Sequence, residues 1–329
     1  MFAASLAFVG AIVYGSADFF GGLAAKRLRS IVVTAVAALS GLVGLIVAFL
    51  FLNAVAPADA GAWNAADTLW GVLSGLIGIV SIVLLYGCLA IGPMSILSPL
   101  AAVLSAIVPV LWGLLVGGET LGPLGYVGLG VALVAVVLVG FIPGEKVVRP
   151  SLRGLLMAIG SGIAIGAFMI TIDQTHASSG ITPLIANRAT NGLVTALIVI
   201  GSIVVAVRRG RPVASVFPAQ GALLGATPSG RADLEHATES GPIAVLAPPT
   251  VVPASAWWLA IACGVLDATA NTVMLVALHS GDLSVVSALT ALYPAGTILL
   301  AAIVLRERIA LVQWIGLALA ISAGVLLAV

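Results

Sequence analysis

Residues 92–130 read GPMSILSPLAAVLSAIVPVLWGLLVGGETLGPLGYVGLG, and residues 281–319 read GDLSVVSALTALYPAGTILLAAIVLRERIALVQWIGLAL. Gly92, Ser95 and Ser98 fall in step with Gly281, Ser284 and Ser287. Further on, Glu119 lies nine residues before Gly128, as Glu307 lies nine before Gly316, so one residue of slip brings the stretches into register. Earlier segments correspond more weakly: Val13–Gly15 with Ala164–Gly166, and Gly75 with Gly264. Duplication within a membrane chain points to two like halves with a site where they meet.

The chain is a membrane chain by composition. Of 329 residues, 61% are hydrophobic and 8% are charged. A water-soluble domain of this length cannot cover its surface with so few charges. Apolar runs long enough to cross a bilayer recur throughout, predicting an all-α polytopic membrane protein. Ten transmembrane helices are expected, at 3–25, 31–52, 69–91, 93–117, 122–142, 153–173, 181–207, 256–279, 283–305 and 309–328. Five helices per half is an odd number, so the second half enters the membrane upside down. The expected organisation is therefore two inverted five-helix repeats, 1–145 and 151–329, hinged at Lys146–Pro150. The first span lacks a charged leader and carries Asp18, so it reads as a retained helix rather than a signal peptide. A net charge of +1 without basic clusters gives no reason to expect a nucleic-acid partner.

Twelve of the thirteen Lys and Arg residues fall on one side of a ten-helix arrangement. They are Lys26, Arg27 and Arg29; Lys146, Arg149 and Arg153; Arg208, Arg209, Arg211 and Arg231; and Arg306 and Arg308. The positive-inside rule makes that side cytoplasmic and leaves both termini outside. Residues 208–255 interrupt the second half with a Pro-, Ala-, Gly- and Ser-rich insert, expected to be a flexible cytoplasmic loop. Cys88 and Cys263 lie inside spans with neither metal-ligand nor disulfide spacing, so no cofactor is expected.

The scarce ionisable residues inside apolar spans are the pointers to a site. A charge near a helix centre costs about 2.5–3.5 kcal/mol on insertion scales, so it faces protein or water. Asp18 lies one turn after Tyr14 in the first helix, and Asp267 one turn before Asn271 in the eighth. Arg188 sits two turns into the seventh helix, with Asn191 three residues on. Together these residues would form a small polar cavity between the halves, suited to binding a substrate or a coupling proton. A buried ion pair that only fixes helix register is the alternative. Tyr293 is a further candidate for the cavity wall. Asp173, His176 and His279 fall near span ends, where water can solvate them. Glu119 and Glu307 sit between helices, where a carboxylate complements the N-terminal dipole of the helix that follows. Pro99, Pro109 and Pro294 each delete a backbone hydrogen bond and invite a kink.

No HExxH, GxSxG or P-loop string occurs, and the aspartate contexts YGSAD and GVLD match neither motif of the intramembrane aspartyl proteases. An enzyme is therefore not expected. Three strings carry a resemblance: YGSADFFGGLAAKR from Tyr14, LLYGCLAIGPMSILSPLAAVLSAIVPVLWGLLVGGETLG from Leu84, and GVLDATANTVMLVALHSGDLSVVSALTALYPAGTILLAAIVLRERI from Gly264. With them the chain, apart from its insert, resembles the EamA-domain transporters of the drug/metabolite transporter superfamily. The resemblance implies ten helices, an inverted duplication, a central cavity, and export or exchange of small metabolites. GGET in the first half departs from the more usual Gly-Glu-Arg, and the 208–255 insert is longer than the pattern.

The expected function is a secondary transporter of small metabolites or drugs in the plasma (inner) membrane, working by alternating access as an exporter or exchanger. The cavity is expected between helices 1, 3, 4, 6, 8 and 9, with Arg188 at its edge. Its partners are a small-molecule substrate and the lipid bilayer, with protons as a candidate coupling ion. The alternative is a non-transporting receptor or scaffold that acts through the 208–255 loop.

Overall fold

A computed structural model describes residues 2–25, 27–55, 61–91, 94–140, 151–218, 252–304 and 310–328, without the side chains of 86–91, 94–96, 98, 99, 140, 298, 301 and 328. The described residues are helical almost throughout. The helices are α1 (Phe2–Ala25), α2 (Ser30–Val55), α3 (Ala65–Ile91), α4 (Met94–Leu115), α5 (Pro123–Gly140), α6 (Leu152–Asp173) and α7 (Thr182–Arg208). After them come α8 (Ala254–Leu278), α9 (Leu283–Thr290), α10 (Tyr293–Val304) and α11 (Leu311–Ala328). Among the described residues, seven segments are long and apolar enough to cross a membrane: α1, α2, Ala65–Leu85, α6, α7, α8 and Leu283–Val304. Three further apolar helices are shorter, at Leu100–Leu115, Pro123–Val139 and Leu311–Leu327.

Local chemistry sets several boundaries. Ser151 Oγ accepts from Gly154 N at 3.1 Å and so caps α6. Pro123 and Pro183 stand in the first turns of α5 and α7, where a missing N–H is harmless. Pro294 has the opposite effect. The single span expected over 283–305 is broken into α9 and α10 at Ala291–Leu292, because Pro294 cannot donate to the Thr290 carbonyl. Pro109, by contrast, lies within an unbroken α4.

Large apolar side chains point outward. Val47, Leu50 and Phe51 of α2, Leu193 and Leu197 of α7, and Ile321 and Val325 of α11 are all exposed. Such a surface suits lipid and would aggregate in water. The interior holds many small residues, Ala7, Ala11, Ala132, Ala135, Ala320 and Ala323 among them, in one cluster with Met274, Val136 and Leu327. The most extensive helix pairs are α1 with α8, α3 with α6, and α5 with α11; α4 with α6, α1 with α10, α2 with α8, α3 with α7, and α2 with α7 follow.

Two sets of glycines show how close these approaches are. A Cβ at Gly75 of α3 would meet Asn187 O at 2.8 Å and Thr190 Cβ at 3.0 Å on α7; one at Gly264 of α8 would collide with Ala37 and Ser40 on α2. Likewise, Gly15 of α1 packs on Tyr293, Gly296 and Thr297 of α10, and Gly166 of α6 packs on Val108 and Pro109 of α4. The glycines that correspond in sequence therefore stand in like places against like helices.

One end of the bundle is stitched shut. Fully buried Asp67, at the start of α3, accepts from Ser179 Oγ and from His176 N at 3.3 Å in the α6–α7 loop, and its Oδ1 lies 3.0 Å from His176 Nδ1. Ala62 N donates to Ser178 O at 3.0 Å, and His279 Nε2 to Thr175 O at 2.8 Å. Glu119, between α4 and α5, receives Leu283 N at 2.7 Å and Ser284 N at 3.0 Å. The sequence suggested that Glu119 complements the helix that follows it; the structure places it on α9 in the other half, because Asp282 at the N-cap position makes no side-chain cap. Glu307 lies outside the described residues.

Within the 208–255 insert, residues 208–215 are exposed and 216–218 pack against the bundle. Arg29 N donates to Phe217 O at 2.9 Å, and Phe217 meets Trp257 edge-on at 5.7 Å. Residues 219–251 lie outside the description.

Gly15→Ala should lower the thermal unfolding midpoint in detergent, because its Cβ would sit 2.6 Å from Thr297 N and 2.7 Å from Gly296 Cα, an overpacking of about 1–3 kcal/mol. Gly201→Ala, where no atom lies within 4 Å of the added carbon, should leave the midpoint unchanged or slightly raised.

Candidate functional site: a charged cavity at the centre of the bundle

Arg188 projects from α7 and Asp267 from α8, and the guanidinium Nη2 pairs with Asp267 Oδ2. Their side chains keep only 12% and 26% of their surface, so the pair lies largely out of solvent. Neither charge could be held alone in this apolar setting without loss of several kcal/mol. One turn beyond Asp267, Asn271 turns its Nδ2 back to the Asp267 carbonyl at 2.7 Å, with Asp267 Oδ1 at 3.4 Å. That donation fixes which end of the amide is oxygen. Asn271 Oδ1 is then left buried with no hydrogen-bond partner, as is Asn191 Oδ1 on α7. One residue before Arg188, Asn187 Nδ2 donates to Ser74 Oγ at 2.8 Å, which anchors α7 to α3.

These groups surround a cavity of about 160 Å³. Its polar wall is Tyr14, Asn187, Arg188, Asn191, Asp267 and Asn271; the facing wall is Gly78, Ser81, Ile82, Ile165 and Phe168. Ser81 Oγ is turned to Gly78 O at 2.7 Å, so the second wall presents little polarity. Tyr14 reaches across to Met274, its hydroxyl 3.6 Å from Sδ. Counting from the paired glycines, Gly78 is the counterpart of Asp267, Ile82 of Asn271 and Ile165 of Tyr14; since Gly264 meets Ala37 as Gly75 meets Asn187, Ala38 is that of Arg188. Three of those pairs meet in one cavity, polar on one side and apolar on the other.

Five of the seven sequence candidates, Tyr14, Arg188, Asn191, Asp267 and Asn271, thus line one space, and two do not. Asp18 is exposed and lies outside the lining. Gly10 packs on Val273 and Gly21 on Cys263, so α1 and α8 run antiparallel with Asp18 near the depth of Asp267. Tyr293 opens α10, where its carbonyl packs on Gly15. The helices differ from expectation too. The described lining comes from α1, α3, α6, α7 and α8; α7 supplies three polar residues rather than an edge, and α4, α9 and α10 supply none. Ser81 and Phe168 were missed, since nothing in their own spacing marks them. No cluster of three His, Cys, Asp or Glu side chains suited to a metal occurs among the described residues.

Residues 240–329 match the EamA-like transporter family. The similarity covers about the last quarter of the chain. The match takes in α8 to α11, including Asp267 and Asn271. A crystal structure of another protein shares the fold of this chain, with a TM-score of 0.67 and 17% identity over 98% of this chain and 95% of that one. None of the curated proteins compared with the chain matches it.

Partial burial, and then the nearby Glu119 carboxylate, hold the Asp282 carboxyl above its usual range. A folded-state pKa raised above the unfolded one gives stability that is complete below the unfolded pKa and lost as pH rises through the folded pKa. Asp282→Asn should therefore unfold at a higher temperature than the parent at about pH 8, and lose that advantage near about pH 4. Glu119→Gln should unfold at a lower temperature than the parent at about pH 8, by about 1 kcal/mol of lost capping.

Proposed function

We propose that the chain is a secondary transporter of small molecules that works by alternating access, with the Arg188–Asp267 cavity as its substrate site. The observation that carries this reading is the cavity itself. A charged pair and two unpartnered amide oxygens line an open space at the centre of an apolar bundle, where a purely structural pair would be packed over. The family match supports a transporter of the drug/metabolite type.

An inverted duplication is supported by the packing. Exchanging α1–α5 for their counterparts turns the α1–α8 pair into α6–α3, α1–α10 into α6–α4, and α2–α8 into α7–α3, all of which occur. On that reading the chain makes ten crossings, with α9 and α10 as one broken span. The Lys and Arg placement would set the stitched end, with Asp67, Glu119 and His279, outside the plasma membrane. The opposite end would face the cytoplasm.

Access follows from how α3 and α7 diverge. A Cβ at Gly71 would collide with Pro183 O; at Gly75 it would meet Asn187 O at 2.8 Å; at Gly78 its nearest neighbour is the Asn191 side chain at 3.5 Å. The helices close at the outer end and splay toward the inner one, as expected of an inward-facing exporter loading its substrate. The two halves would then rock about the cavity, breaking the Asp67 and Glu119 contacts as the outer end opens. Asp267 either pairs with a cationic group of the substrate or exchanges a proton, released from Arg188 in both cases.

Thermal unfolding of the purified protein against amino acids, nucleosides, sugars and cationic drugs tests the site. A ligand at about one hundred times its Kd should stabilise the protein by about 2.7 kcal/mol. Asp267→Asn should unfold at a lower temperature than the parent, because Arg188 is left unpaired, and should lose the ligand shift together with counterflow of the same ligand in proteoliposomes. An equal shift and equal counterflow in Asp267→Asn would remove Asp267 from the site.

A further inference from the structure

The polar cavity has an apolar annexe. A second space of about 260 Å³ lies between α2, α3 and α7, and it shares Ile82 and Asn191 with the first. It runs toward the splayed end of α3 and α7, past Ile79, Val83, Thr195 and Ile198 to Ile31 at the start of α2. Its two threonine hydroxyls are spent on their own helices. Thr34 Oγ1 donates to Ser30 O at 2.9 Å and Thr195 Oγ1 to Asn191 O at 2.6 Å, so both threonines have their donors engaged locally. Val83 and Ile198 are exposed on the outer surface, so the annexe opens sideways as well as inward.

The junction between the two spaces is where polarity is unmet. Asn191 is 93% buried, lines both spaces, and its Oδ1 has no partner; Asn271 Oδ1, 97% buried at residue level, lines the polar one and also has none. Asp267 keeps Oδ1 available beside them, bound only weakly by Asn271. Asn191 and Asn271 thus each bring an unpartnered oxygen to the wall of the polar space beside the Asp267 carboxylate, and Arg188 Nη2 is engaged by Asp267. Unmet buried acceptors call for a ligand that brings N–H donors.

We propose that the two spaces form one bipartite site for an amphipathic amine, its ammonium held by Asp267, Asn271 and Asn191 and its apolar tail lying in the α2–α3–α7 annexe. This deepens the transporter reading and rests on it. The tail reaches the annexe along the splayed end or from the bilayer between α3 and α7, without passing the charged pair. Specificity then divides by chemistry: the α7–α8 wall selects the nitrogen head, and the annexe sets tail length.

The test uses straight-chain alkylammonium ions from ethyl to octyl, with alkyl carboxylates of equal length, titrated calorimetrically into the detergent-solubilised full chain. Each methylene buried in the annexe should tighten ammonium binding about fourfold, until the space is filled and the gain stops. Carboxylates of equal length should bind at least tenfold more weakly. Ile79→Trp should abolish the gain with length; Ile198→Trp, at the outer wall, provides the same block should the first variant not fold. Length dependence that persists unchanged in the folded blocked variants, or is absent from the parent, would overturn the tail assignment while leaving the polar cavity as a ligand site. Carboxylates that bind as tightly as ammonium ions would overturn the head assignment. A folded parent that binds neither series would overturn the proposal whole, and a separate hit from the metabolite panel would show that the transporter reading survives it.

Discussion

An arginine and an aspartate cannot be left singly inside an apolar bundle, and the arrangement around Arg188 and Asp267 follows from that constraint. Each charge is tolerable because the other lies against it, and α7 must therefore stay beside α8 at this depth. The neighbouring polarity serves the same end. Asn187 fixes α7 to Ser74 of α3, and Asn271 braces the Asp267 backbone. The counterparts in the other half, Ala38 and Gly78, carry no charge and almost no bulk. The bundle thus encloses a site that is polar on one wall and apolar on the other.

Glycine and alanine make that bundle possible. With no hydrophobic drive between helices in lipid, contact depends on backbones that approach closely. Gly15 and Gly166 bring α1 and α6 against the proline-bearing segments of α10 and α4, while Gly75 and Gly264 bring α3 and α8 against α7 and α2. The closest approaches of α3 to α7 are confined to one end, so the same residues that hold the bundle also decide where it opens.

Much of this was legible in the sequence because charge is so scarce in it. Asp267 and Arg188 stood out by cost alone, and spacing put Asn271 and Asn191 on their faces. Spacing along one helix says nothing of which helix lies opposite, however, so the pairing of Arg188 with Asp267 and of Asn187 with Ser74 was out of reach. Asp18 was weighed equally with Asp267 for the same reason; the two lie at similar depth, but the cavity admits only one. Glu119 shows the limit from another side. A loop carboxylate seeks free helix N–H groups, and the sequence names only its neighbours in the chain, not α9 some 160 residues on. Asp67 gave no signal, because a carboxylate in the first turn of a helix is ordinary until the His176 and Ser179 loop is seen to fold over it.

Whether the charged pair serves transport or only holds helices together is decided most directly by replacing both members at once, as Arg188→Met with Asp267→Leu. Apolar residues of similar size in place of a buried pair are neutral or stabilising by about 1–4 kcal/mol, so the fold should survive. The measurement is proteoliposome counterflow by this double variant, beside its thermal unfolding. A stable protein without counterflow is the result expected of a transport site. Counterflow at the parental rate would mean that the pair is a fastening, and that the substrate is held elsewhere.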